Sequence, residues 1–225
     1  MINKKQLLVL TAIHGDEGFS IPTIKSLLKK YKFDWIICNP NALKKDKRFT
    51  DTDLNRSAPG NLKSGSYEER LAYKIIDQAV LYKEVIDIHG SVSKTGIFII
   101  VTNPSWENIE FAKKFDIDNV VLWPGLKDTG PLTQFIPNSL EIECGPKNDK
   151  KITGQLNKIL DKFLNGDFRK EKQNIFIVTD ILASPVKVKM KDFVETKYKG
   201  KEFYPLLVDQ YSGIKCYMMQ KLNNV

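Results

Sequence analysis

Short apolar runs alternate with segments of helical period through the first two-thirds of the chain, and this order limits the fold more than any other feature. Leu7 to Ala12 has the length and composition of a buried strand. A helix follows with Ile24, Leu27 and Leu28 on one face and Pro22 accommodated in its first turn. Trp35 to Cys38 is a second strand. Residues 39–65 are rich in Asn, Pro, Asp, Gly and Ser and read as a long excursion, a length that in a compact domain tends to be functional. Ser66 to Tyr82 is predicted as a helix, opened by a Ser66/Glu69 capping box and striped by Leu71, Ile75, Ala79 and Tyr82. Strands are expected at Val85–Ile88, Ile97–Val101, Asn119–Trp123 and Leu140–Cys144. Helices are expected at Ser105–Phe115 and Ile152–Leu164, the last ended by Gly166. Such an order implies an α/β sheet with helices on both faces, and in such sheets ligands gather beyond the carboxyl ends of strands.

The texture changes after residue 168. Ile175–Leu182, Val186–Met190, Leu206–Val208 and Cys216–Gln220 read as strands without a convincing helix. The expected organisation is a domain over residues 1–168 and a small β-rich domain over 169–225. An apolar fraction of 42% suits a packed core. No apolar run reaches the roughly 18 residues of a membrane helix. The basic tip and short apolar run at the start lack a small-residue cleavage site, so they read as a first strand and not a signal peptide. Cys38, Cys144 and Cys216 are too scattered for a disulfide framework, which fits a cytoplasmic setting. The net charge of +8 comes from dispersed lysines with no block interleaved with aromatics. That argues for a solvated surface and against a nucleic-acid partner.

The chain has two histidines. His14 follows the first strand and His89 follows Val85–Ile88, so both lie at strand carboxyl ends. His14-Gly15-Asp16-Glu17 has H-x-x-E spacing, and a turn after a strand can aim positions i and i+3 at one point, with Gly15 relaxing the backbone between them. Together with His89 this makes a His2Glu set of the kind that binds catalytic zinc, three protein ligands and one open position. The plain alternative is that Glu17 begins the next helix, where acids favour the dipole. In the polar excursion, Arg48 and Arg56 could each grip a carboxylate or stabilise an oxyanion, or belong to an ordinary solvated loop. Strand alternation puts Glu141 and Glu143 on one face. A carboxylate beside a zinc site can shuttle a proton, although two acids on an edge strand facing solvent would look the same in sequence.

These blocks together resemble the succinylglutamate desuccinylase and aspartoacylase family, a branch of the zinc carboxypeptidases. The resemblance is carried by His14-Gly15-Asp16-Glu17, Asn39-Pro40 with Ala42, Arg48 followed by Asp53-Leu54-Asn55-Arg56, Asp87-Ile88-His89-Gly90 and Ile142-Glu143-Cys144-Gly145-Pro146, over residues 7–147. It implies a zinc-carboxypeptidase-like mixed sheet and one Zn2+ per chain held by His14, Glu17 and His89. It implies Glu143 as general base and acid and Arg48 as the group that polarises the scissile carbonyl. Asn55 and Arg56 would bind a substrate carboxylate, Asp87 would orient a histidine, and Tyr211 matches a late tyrosine of the family. The aspartoacylases carry a further arginine shortly before the glutamate, where this chain has Gly130-Pro131-Leu132-Thr133-Gln134-Phe135-Ile136.

The activity so implied is hydrolysis of an amide in a small N-acyl amino acid bearing a free carboxylate. Two alternatives stand beside it: a zinc carboxypeptidase acting on peptides, and a non-catalytic anion-binding domain. The expected partner is a small-molecule substrate, with no membrane or nucleic acid, and the oligomeric state is left open.

Overall fold

The computed structural model describes residues 5–125, 128–166 and 168–222. The elements run β1 (Lys5–Thr11), α1 (Ile21–Leu27), β2 (Asp34–Ile37), α2 (Pro40–Lys44), α3 (Tyr67–Ala79), β3 (Tyr82–Gly90), β4 (Gly96–Val101), α4 (Trp106–Ala112), β5 (Asn119–Leu122), β6 (Ser139–Gly145) and α5 (Lys150–Asn165), then β7 (Asn174–Ala183), β8 (Thr196–Tyr198), β9 (Lys201–Leu206) and β10 (Ile214–Leu222). Short 3-10 turns lie at Gly15–Ser20, Leu54–Arg56 and Leu132–Gln134.

All ten strands form one mixed sheet in the order β2-β1-β3-β6-β4-β5-β7-β10-β9-β8. β2, β1, β3 and β6 are mutually parallel. β4 runs antiparallel to β6. β5 and β7 continue parallel to β4, and the last three strands are joined by antiparallel pairing. The C-terminal strands thus extend the sheet begun by the earlier ones.

Helices cover both faces. Ile24 and Leu27 of α1, Phe111 and Ala112 of α4, and Ile152, Leu156 and Leu160 of α5 pack into one core with Val9, Ile86, Ile88 and Ile142. Ala72, Ile75 and Ala79 of α3 pack on the opposite face with Leu8, Leu10 and Val85. Burying each of the larger side chains contributes about 1.5–3 kcal/mol. Among the described residues, no helix is long and apolar enough to cross a membrane.

Several boundaries differ from the sequence reading. The 39–65 excursion holds α2, capped by the Asn39 side chain accepting from the Ala42 N–H, and a 3-10 turn. α3 begins as expected, with the Ser66 hydroxyl accepting from the Glu69 N–H, but it stops at Ala79. Tyr82 opens β3, where its hydroxyl donates to Asp34 Oδ2 at 2.6 Å. Its burial at a helical spacing from Ala79 is a coincidence of two elements. Val186–Met190 is no strand: after the β7 end it runs irregularly towards β8, which the alternation did not reveal. β9 ends at Leu206 because Leu207 has φ +53° and leaves the extended region. Gly166, at φ +85°, ends α5 in the left-handed conformation expected of it.

Candidate metal centre and cavity

Three adjacent parallel strands, β1, β3 and β6, deliver the polar residues to one place. β3 runs through His89, not merely up to it, so Asp87 and His89 project from the same face at the two-residue period. The register against β6 sets His89 beside Glu143 and Asp87 beside Glu141. Two histidine–acid and acid–acid neighbours therefore follow from one strand pairing.

His14 enters from the turn after β1. Gly15 is required there by close approach: a Cβ would fall 2.1 Å from the Ala42 carbonyl carbon. Its N–H donates to the Arg48 carbonyl at 3.1 Å. The turn carries Glu17 back under the imidazole, and His14 Nδ1 lies 2.8 Å from Glu17 Oε1. The other carboxylate oxygen lies 3.5 Å from His89 Nδ1 and accepts from the Gly90 N–H at 2.9 Å. The two imidazoles meet edge to face, their centroids 5.4 Å apart. All three residues are about 3% exposed. One ligand atom from each lies within 4.8 Å of the others. Two imidazole nitrogens and a carboxylate oxygen converging in a buried pocket form the donor set that zinc takes.

The far nitrogen of each ring is held by a carboxylate. His14 Nε2 lies 3.0 Å from Asp53 Oδ1, and His89 Nε2 lies 2.8 Å from Asp87 Oδ2. Such bonds fix the tautomer and leave Nδ1 to face Glu17. Asp87, His89 and Glu141 form a second convergent group. Of these, Asp87 bonds the ring at Nε2 and braces it, while Glu141 accepts from Thr133 and makes no hydrogen bond to the imidazole. The charges support one another. Burial works against protonation of His14 and His89, yet Asp53 and Glu17 raise His14, and Asp87 carries His89 well above the usual imidazole range. Burial likewise opposes ionisation of Glu17 and Asp53, but the histidines and, for Asp53, Arg48 hold both well below the usual carboxylate range.

Arg48 is half-buried and forks onto Asp53 Oδ2 through Nε at 3.1 Å and Nη2 at 2.9 Å. Its Nη1 lies 3.8 Å from Glu17 Oε1. The loop carrying Arg48 and Asp53 is clamped by Glu68, a fully buried acid in the first turn of α3. Glu68 accepts from Asn39 Nδ2 and from the N–H groups of Thr50, Asp51 and Thr52, at 2.6–3.2 Å. Asn55 is buried, and its Oδ1 has no hydrogen-bond partner. Arg56 is exposed and donates through Nη1 to the Asn55 carbonyl at 2.7 Å.

A cavity of about 310 Å3 joins these groups. His14, Glu17, His89, Arg48, Asn55, Arg56, Glu141, Glu143 and Tyr211 all line it, whereas Asp87 lies fully buried behind His89 and does not. Among the described residues no donor reaches the Glu143 carboxyl. Its burial, with Glu17 and Glu141 nearby and His89 opposing, pushes it up to about 8. Glu141 is 4% exposed and accepts from the Thr133 hydroxyl at 2.7 Å. Tyr211 is pushed up to about 12 by burial and by the Glu143 charge.

Sequence reasoning gave no role to Asp53 as a brace, to the Glu68 clamp, to Thr133 or to Gln210, whose buried Oε1 lacks a partner in the cavity wall. The one available signal was Glu68 itself, an acid on the inward side of an amphipathic helix. The arginine-free segment Gly130–Ile136 supplies Gly130 and Pro131 to the wall, beside Ile100, Trp123, Leu207 and Tyr217.

The chain is similar to several known proteins. Residues 3–166 match the model of the succinylglutamate desuccinylase/aspartoacylase catalytic domain. A probable aspartoacylase of Prochlorococcus marinus subsp. pastoris is 25% identical over 157 residues, 63% of this chain and 53% of that protein. An N-acyl-aromatic-L-amino acid amidohydrolase (carboxylate-forming) of Xenopus laevis is 28% identical over 114 residues, 43% of this chain and 37% of its own length. The match thus spans about half the length of the first of these relatives and less of the second. Murine aminoacylase 3 shares the fold at TM-score 0.77 and 14% identity, over 97% of this chain and 95% of that one. The succinylglutamate desuccinylase of Chromobacterium violaceum does so at TM-score 0.75 and 14% identity, over 98% and 86%. With residues 3–166, most of the chain, matching the family's catalytic-domain model, the chain belongs to the succinylglutamate desuccinylase/aspartoacylase family.

Proposed function

We propose that the protein is a zinc-dependent amidohydrolase that cleaves small N-acyl amino acids with a free carboxylate. One observation carries the reading: His14 Nδ1, His89 Nδ1 and the Glu17 carboxylate converge while carboxylates hold both far nitrogens, and Glu143 stands in the same cavity. When bound, zinc supplies Lewis-acid polarisation of the scissile carbonyl and brings the pKa of water towards about 7.

The protein's own groups do the rest. Glu143 receives a proton from the attacking water at its carboxylate and returns it to the departing amine. A carboxyl raised by burial suits both halves of that cycle. Arg48, with Nη1 left over from its fork on Asp53, lends positive charge where the carbonyl oxygen becomes negative. Arg56 and Asn55 hold the substrate carboxylate at the rim. In this reading residues 169–225 serve the substrate site as a wall, contributing Leu207, Gln210, Tyr211 and Tyr217 to the cavity. The cavity contains no arginine at the Gly130–Ile136 segment, so acetylaspartate should be cleaved less well than N-acyl derivatives of less acidic amino acids.

Elemental analysis should find about one zinc per chain, and His89→Ala should lose most of it. The zinc-loaded protein should release amino acid from an N-acyl amino acid panel and leave carboxyl-amidated analogues largely intact. Stoichiometric zinc surviving in His14→Ala, His89→Ala would remove the proposed centre.

A further inference from the structure

We propose that Glu141 makes this site a reader of cationic side chains, so that the preferred substrates are N-acylated diamino acids. The inference rests on the reading above for the reaction, but the recognition it describes stands on geometry of its own.

Glu141 has no task in the proposed chemistry. It lies two residues before Glu143 on the same face of β6, about 6.6 Å deeper along the strand. It is 4% exposed and still opens onto the cavity. Its one donor is neutral, the Thr133 hydroxyl, itself paired with Thr102 at 2.8 Å. Among the described residues no lysine, arginine or histidine forms an ion pair with it, and the charges of His89 and Arg56 favour its ionised form only from beyond hydrogen-bond reach. Its neighbour in register on β3, Asp87, is another fully buried acid. A carboxylate withdrawn from water on such terms is costly unless a cation completes it.

The surroundings specify which cation. Ile100 is the register partner of Glu141 on β4, and Trp123 and Tyr217 stand in the same wall. Apolar walls leading down to an acid suit a methylene stem that ends in an ammonium group. An acidic side chain entering there would meet like charge, and a plain aliphatic or aromatic one would leave Glu141 without its counter-ion. Arg56 at the rim and Glu141 at depth are then complementary to a ligand carrying a carboxylate at one end and an ammonium at the other.

The test is binding by calorimetry to the purified protein, using Nα-acetylornithine and Nα-acetylnorleucine, which differ in placing an ammonium or a methyl at the same position. Nα-acetylphenylalanine and acetylaspartate complete the set. The ornithine derivative should bind at least about tenfold more tightly than the norleucine derivative, as a charge-assisted hydrogen bond requires. Glu141→Gln should bring the two within about twofold. Equal or tighter binding of the norleucine or phenylalanine derivative to the unmutated protein overturns the proposal, whether or not the variant folds. An ornithine preference unchanged in Glu141→Gln overturns it as well. Turnover separates the two readings: Glu141-dependent binding without cleavage of any N-acyl amino acid upholds this recognition and removes the amidohydrolase, and cleavage without the preference does the reverse.

Discussion

Glu68 offers a test of how the site is held that needs neither metal nor substrate. One carboxylate oxygen accepts from Asn39 Nδ2 and the Thr50 N–H, and the other accepts from the N–H groups of Asp51 and Thr52. Glu68→Gln replaces one oxygen with an NH2 group. Whichever way the amide turns, two donors lose their acceptor. An orphaned buried donor costs about 1–3 kcal/mol, and this loop is only partly buried, so the lower part of that range applies and the loss is about 2–4 kcal/mol. For a chain of this size each kcal/mol lowers Tm by about 2–4 °C, which gives about 4–16 °C. The control is Glu107→Gln, an exposed acid in the first turn of α4. Both would be followed by thermal and urea unfolding. The pH dependence has a definite sign. The four donors hold Glu68 below its ordinary value against the opposing effect of burial. Its stabilisation is therefore present above about pH 4.5 and lost as pH falls through the folded value, so wild type and variant should converge in acid. A Glu68→Gln Tm within about 1 °C of the Glu107→Gln control would refute the clamp.

Other outcomes follow from the same geometry. Asp53→Asn and Asp87→Asn should each weaken zinc binding by about 10–100-fold in a chelator competition while leaving the fold in place, because each brace orients one imidazole. Glu143→Gln should keep its zinc and lose activity by about 10²-fold or more in steady-state assays. In the metal-free protein, Glu143 is pushed up to about 8 from an ordinary 4.5, so between those values the folded chain holds a proton that the unfolded chain has released. Metal-free wild type should lose stability as pH rises from about 5 to 8, and Glu143→Gln should lose less of it. His14 and His89, both raised, act in the same direction and should remain in the variant. Arg56→Lys should lower kcat/KM without changing metal content, since a lysine cannot reproduce a two-pronged grip on a carboxylate.

What could be read from the chain alone was local or chemically rare. A two-residue period puts Glu141 beside Glu143 on one face, and a Ser66/Glu69 pair starts α3, whatever the rest of the molecule does. With only two histidines, each at the end of an apolar run and one three residues from an acid, the proposed metal-binding set could be named before any strand order was known. The braces could not. Asp53 reaches His14 across 39 residues, and Glu68 reaches the Thr50 backbone from another element, so no window of sequence holds both partners. The register that sets His89 beside Glu143 and Asp87 beside Glu141 is a choice among lateral pairings, made by the summed packing of β1, β3 and β6 under helices on both faces. Gly15 shows the same division within one residue. Its identity suggests a relaxed backbone, but only the arrival of α2 at 2.1 Å from a would-be Cβ explains why no other side chain fits. The Val186–Met190 alternation failed for the converse reason: an apolar period of two proposes a strand, but a strand exists only where a neighbour's N–H and C=O groups are free to pair, and that is decided by the whole sheet.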